Sequence, residues 1–239
     1  MSRPFLFFLV VSGLMFSERL PAQDSADRNV VQQPTPPEPQ YKRLFGIVPN
    51  FKTSPSLVNY KPLSAKEKFK LSMDDAFDRG TFALAAAFAG KGQLVNDNPS
   101  FGQGVEGYAH RFVTSYGDWA IGDFMTEAVY PVMLHQDPRY FRKGSGSAFG
   151  RLGWAVGQIF WTHTDSGGHM VNFSELAGNA SAVAISQAYY PDNRDAHSAV
   201  QSWAVQVGVD MASNVMKEFY PDLRRALRRH KDLPASSTH

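Results

Sequence analysis

The sequence predicts an all-α protein, a compact bundle of about six Gly/Ala-rich helices. Three observations carry this expectation. Apolar residues recur at helical spacing from Ser64 to the basic C-terminal region. Small residues repeat along the same segments (Gly150, Gly153 and Gly157, then Ala177, Gly178, Ala180, Ala182 and Ala184), which lets helix backbones approach closely. No cysteine is present, so the fold is expected to depend on its core rather than on disulfides. At 239 residues with 43% hydrophobic side chains, the chain is long and apolar enough to build that core.

Taken in order, residues 1–22 read as a signal peptide. Arg3 supplies the positive start, residues 5–16 (FLFFLVVSGLMF) form an apolar run too short to span a bilayer, and cleavage is expected after Ala22. Residues 23–63 read as a Pro-rich linker followed by an irregular arm. The helical domain is expected over 64–230, with a disordered tail at 231–239. Its first helix should start at the capping box of Ser64 and Glu67, run through FALAAAFA and end at Gly90 and Gly92. A loop covers 93–106. A second helical region covers 106–134, with a break expected near 115–118. After a loop at 135–147, helices fit 148–163, 173–189, 195–219 and 221–230, with Pro191 and Pro221 at junctions. No segment after residue 22 reaches the length of uncharged apolar sequence that a spanning helix requires. A soluble bundle is therefore favoured, with peripheral or partial insertion left open.

A formal net charge of +2 argues against a nucleic-acid binder. Polar residues recur at helical spacing: Asp210, Asn214 and Glu218; Asp123 and Glu127; Glu175 and Asn179. Converging carboxylates can hold a cation or act as acid and base. The alternatives are a hydrogen-bond network that joins helices, or a solvated face. No Glu-x-x-His pair of the di-iron type occurs, and no metal or cofactor is expected.

Two loops hold denser clusters. In the first, His135 and Asp137 form a possible ligand pair and Arg139 and Arg142 suit a phosphate or carboxylate; the plainer reading has Asp137 capping a short helix with Pro138 at its first position. In the second, Thr162 to His169 includes Asp165 and His169, against a plain Gly-containing connection. The cations Arg224, Arg225, Arg228, Arg229 and Lys231 suit either anionic headgroups or the negative end of a last helix.

Over roughly residues 64–230 the chain resembles exported helical proteins of unknown function from environmental bacteria, including acidobacteria. The residues that carry this are DPRYF (137–141), DSGGHMVNFSELAGN (165–179), YYP (189–191) and KEFYPDL (217–223). The resemblance implies a cell-envelope location and no activity. In part, the chain also resembles the type 2 phosphatidic acid phosphatases. Ser166-Gly167-Gly168-His169 is followed by an Ala-rich helix, Tyr-Tyr-Pro and a later helix with Asp210. It departs from that family by the extra Gly, by the missing Lys-x6-Arg-Pro, and by the lack of a His at the required spacing after Arg194.

The leading expectation is an exported periplasmic or outer-membrane-associated protein with a structural or ligand-binding role. Its expected partner is a cell-envelope component or the membrane surface. The alternatives are a hydrolase of a phosphate ester or lipid phosphate, with His135, Asp137, Arg139, Asp165 and His169 as catalytic candidates, and a membrane-embedded helical protein.

Overall fold

The computed structural model describes residues 43–44, 48–54 and 60–231. The expected signal peptide, the linker to residue 42 and the tail beyond residue 231 lie outside the described residues.

Three short strands lead into the helices. β1 (Arg43–Leu44) pairs antiparallel with β2 (Val48–Pro49), and β3 (Thr53–Ser54) follows. α1 (Ala65–Ala76) begins at the expected capping box: Ser64 Oγ accepts from Glu67 N, and Glu67 Oε2 accepts from Ser64 N at 2.8 Å. The helix does not continue through residue 77 as the apolar pattern suggested. Asp78 adopts an extended backbone and caps α2 (Arg79–Leu94), accepting from Gly80 N at 2.7 Å, and it is held by Arg43. A carboxylate that can satisfy orphan amides ends one helix and starts the next. α2 also runs past Gly90 and Gly92, which therefore do not terminate it.

After a 3-10 turn at Pro99–Phe101, α3 (Gly104–Asp123) runs without the break expected near 115–118. The irregularity falls later. Residues Phe124–Val129 form a π-helical turn that continues into α4 (Tyr130–Met133). Pro131 offers no N–H to the carbonyl four residues back and its ring would crowd it, so a widened turn is the accommodating geometry.

The 135–142 segment is extended rather than helical. β4 (Tyr140–Phe141) pairs in parallel with β3, Tyr140 opposite Thr53 and Phe141 opposite Ser54. Asp137 caps no helix; its side chain accepts from Arg139 N at 3.0 Å, a local turn that competes with helix initiation. α5 (Ala148–Gly157) stops short, and the 158–172 region is a β-hairpin instead of a helix end and loop. In it β5 (Trp161–His163) faces β6 (His169–Val171). α6 (Phe173–Ser186) and α7 (Ala196–Lys231) complete the chain.

Pro221 does not divide α7. In the turn it disturbs, the Glu218 carbonyl accepts from Arg142 Nε at 3.0 Å and Arg151 Nη2 at 2.7 Å, so tertiary donors support the helix through the proline.

The architecture is an all-α bundle, with α3, the π turn and α4 forming one rod. α2 packs on α3, α1 and α6 pack on the π turn, and α7 packs on α5 and α6. Buried Ala76, Ala85, Ala89, Ala128, Ala155 and Ala182 keep these helices close. A close approach between helical segments is at Gly178 of α6, where a Cβ would lie 2.9 Å from Thr126 Cγ2 and 3.1 Å from the Thr126 backbone.

Candidate functional site

The two candidate loops meet. Asp137 N donates to the His163 carbonyl at 2.8 Å, Asp165 N donates to the His135 carbonyl at 2.9 Å, and Gln136 bridges Thr164. Their side chains, however, are committed to ion pairs. Asp137 is buried and receives Arg139 Nη2 at 2.6 Å, Arg139 Nε at 2.9 Å and the Tyr60 hydroxyl at 2.9 Å. Arg139 also donates to the Lys61 carbonyl. Asp165 receives Lys68 Nζ at 2.6 and 2.8 Å, and that ammonium, 1% exposed, also reaches the Pro131 carbonyl.

His135 projects outward with its side chain 85% exposed, and its Nδ1 stands 4.0 Å from Asp165, beyond hydrogen-bond reach. His169 is exposed, its ring 4.3 Å from that of His163. His163 is buried with neither ring nitrogen hydrogen-bonded, and burial with the neighbouring His169 pushes its pKa below the ordinary value. The junction holds charge in paired form. It offers no imidazole–carboxylate pair of the kind an acid–base or phospho-His reaction uses.

A second centre forms in the bundle interior, and here the helical polar spacings do converge. Lys52 Nζ lies 3.1 Å from Glu127 Oε1 on the π turn. Asn179 Nδ2 donates to Asp210 at 3.1 Å and to Glu175 at 3.3 Å, joining α6 to α7. Asp75, Asp123 and Lys217 complete the group. Five carboxyl groups thus face two ammonium groups. Asp75 Oδ1 and Glu127 Oε2 are both buried without a hydrogen-bond donor among the described residues.

Burial, then repulsion from Glu127, raises the Asp75 carboxyl well above its ordinary value; burial with Glu127 does the same to Asp123, and burial with Asp210 to Glu175. Burial opposes charge on Lys52, but Glu127, Glu175, Asp210 and Asp75 outweigh it and hold that ammonium well above its ordinary value. Lys217, disfavoured by burial and by Lys52, falls to about 8. Among the described residues no group of three or more His, Asp or Glu is arranged to hold a metal ion.

Glu218 departs from the Asp210–Asn214 spacing and builds a cage of its own. It is 0% exposed and accepts from Arg151 Nε and the Tyr140 hydroxyl, both at 2.7 Å, and from the Gly144 and Lys143 amides at 2.9 and 3.0 Å. Asn214 instead donates to the Ala155 carbonyl.

Sequence reasoning missed Lys52, Tyr60, Lys68, Asp75, Arg151 and Lys217. A signal existed for two of them: Lys68, Ser72 and Asp75 recur on one face of α1.

A second flank of α1 completes the picture. Phe69, Met73 and Phe77, spaced by four, are exposed, Phe77 by 60%, while Lys68, Ser72, Asp75 and Ala76 are buried. α5 repeats this, with Arg151 and Ala155 inside and Phe149, 87% exposed, and Leu152 outside. On α7, Asn214, Lys217 and Glu218 point inward while Met216, Leu223 and Leu227 share the outer face. Among the described residues, buried polar and charged side chains outnumber buried apolar ones, six of the latter being alanines. No helix described is long and apolar enough to cross a membrane. No protein-family model, curated protein or solved structure matches this chain.

Proposed function

We propose that this protein is a non-catalytic component of the bacterial cell envelope that lies on a membrane surface. Its helices turn apolar side chains toward lipid and charged side chains toward one another. The observation that carries this is the set of exposed apolar side chains on α1, α5 and α7, opposite or beside buried charged ones. In water a helix turns its apolar stripe to the core and its charges to solvent. Here charged side chains such as Lys68, Arg151 and Glu218 are buried while Phe69, Met73, Phe77 and Phe149 are exposed, on α1 beside the exposed charges of Lys66, Glu67, Lys70 and Asp74. An exterior of that kind marks a surface that meets something other than water.

Lipid is the occupant that other features favour. The C-terminal half of α7 places Met216, Leu223 and Leu227 along one face and cations at Arg224 and Arg225 beside it, the composition of a helix that rests at a headgroup boundary. The apolar run at residues 5–16 suits delivery of the chain to the envelope. The helices are expected to lie in the interface rather than span it.

Flotation with vesicles tests this. The full chain should float with phosphatidylglycerol-containing vesicles and less with neutral ones. A Leu223→Ser/Leu227→Ser variant should lose most of that binding while keeping its helical circular dichroism. A chain that stays at the bottom of the gradient and sediments as a stable dimer would assign the apolar face to a second copy and overturn the proposal.

A further inference from the structure

A cleft of about 280 Å³ opens between the C-terminal half of α2, the middle of α3, the end of α6 and the first half of α7. Two ionic side chains of α3, Arg111 and Asp118, line it. They stand about two helical turns apart, roughly 10 Å along the axis. Neither has a charged hydrogen-bond partner, but they differ in what they leave open.

Arg111 is 4% exposed. Its Nε donates to the Asp97 carbonyl, Nη1 to the Gln93 side chain and the Gly102 carbonyl, and Nη2 to the Asn98 carbonyl and the Asn96 side chain. Those bonds use every N–H of a guanidinium, so Arg111 keeps no donor for an anion.

Asp118 is the reverse. One oxygen accepts the Tyr189 hydroxyl at 2.6 Å and the other the Tyr190 hydroxyl at 2.7 Å. An ionised carboxylate offers about four acceptor sites, so about two stay unfilled. Burial pushes this carboxyl up to about 6 against the two hydroxyls, and no charged group takes part in setting it. Lys91 pairs with Asp97 instead, at 3.3 Å. Among the described residues, α6 and α7 bring only uncharged side chains to the lining. A carboxylate partly removed from water without a cation is stabilised by a ligand that supplies one. Apolar surface lies beside it: Trp119 packs edge-on against Phe88 at 5.6 Å, and both line the cleft.

We infer that this cleft binds a small organic ammonium ion, its N–H groups donating to the open acceptor sites of Asp118 and its apolar part lying against Trp119 and Phe88. An ammonium is a donor-only cation, and its bond to a carboxylate is about twice as strong as that of a neutral hydroxyl. The site rests on other residues than the membrane proposal does, and its test contains no lipid.

A saturation-transfer NMR titration of the full chain tests it, with phenethylamine as the ammonium probe. Phenethyl alcohol is the neutral comparator, phenylpropionate the anionic one, and phosphoethanolamine stands for a lipid headgroup. Phenethylamine should show saturable transfer and bind tightest of the four. Its affinity should fall about tenfold between about pH 7.5 and about pH 5, as Asp118 takes up its proton around about 6. Asp118→Asn should weaken binding about tenfold and flatten that pH profile. Trp119→Leu should weaken binding about fivefold and leave the profile in place. Should Asp118→Asn not fold, the wild-type pH profile and Trp119→Leu decide the matter. No saturable transfer from phenethylamine, equal or tighter binding of any comparator, or an affinity that does not fall toward pH 5 would overturn the inference.

Discussion

Two buried carboxylates of α1 and α7 show how environment sets opposite protonation states. Glu218 is opposed by burial, yet the Arg151 and Tyr140 side chains and the Gly144 and Lys143 amides hold it below its ordinary value, so it is ionised. Asp75 has an acid for a neighbour and an oxygen without a donor, so it favours the protonated form. The same substitution class should therefore act with opposite sign. Glu218→Gln removes the charged acceptor of Arg151, Tyr140 and the Gly144 and Lys143 amides, leaving Arg151 its pair with Asp222, and should cost about 1.5–3 kcal/mol. Asp75→Asn supplies an N–H toward Glu127 without a charge and should stabilise the protein near neutral pH by about 1 kcal/mol. Urea unfolding of both variants at one pH checks the pair, and destabilisation by both would overturn the reading of Asp75 as the protonated acid of the two.

At the scale of the element, the Gly178 approach is what brings α6 onto the π turn and so brings Asn179 and Glu175 into the interior centre. Gly178→Ala would push a methyl into Thr126 and its backbone, which should cost about 1–3 kcal/mol and appear as a lowered urea midpoint. The small-residue segment containing Gly178 was legible in the sequence, as were the Ser64 cap, the existence of the helices and the convergence of Asp123, Glu127, Glu175, Asn179 and Asp210. The boundaries were less legible where tertiary contacts override local preference. Asp78 divides an apolar run, because a capping carboxylate paired with Arg43 outweighs continuity. Pro221 is tolerated because Arg142 and Arg151 reach into its turn. Periodicity also locates an apolar face without saying which way it looks. On α1 the Phe69–Met73–Phe77 side turns outward, and Lys68 and Asp75 become the interior residues that a reading built on apolar cores overlooks.

For the whole molecule, a charged interior makes stability a function of pH, with a direction that the individual groups fix. Asp75, Asp123 and Glu175 titrate above their ordinary values in the fold. The folded chain therefore holds protons that the unfolded chain has released, and their stabilisation is complete below the ordinary carboxylate range and lost as pH rises through the folded values. Glu218 and Asp78 behave oppositely; their contribution is present above the ordinary carboxylate range and lost as pH falls through their lowered values. Lys217, depressed to about 8, stabilises the fold above the ordinary lysine range and loses that contribution as pH falls toward its folded value, so it gives no relief at neutral pH. Thermal unfolding followed by circular dichroism should thus show a maximum in mildly acidic buffer, with Tm declining toward about pH 8 and also below about pH 4. An Asp75→Asn/Glu175→Gln variant should keep the acid limb, which Glu218 and Asp78 control, and lose most of the decline on the neutral side. A wild-type Tm that climbs steadily to pH 8 would mean that the interior carboxyls are ionised against matching cations, and that the inside of this bundle is held by salt bridges rather than by protonated acids.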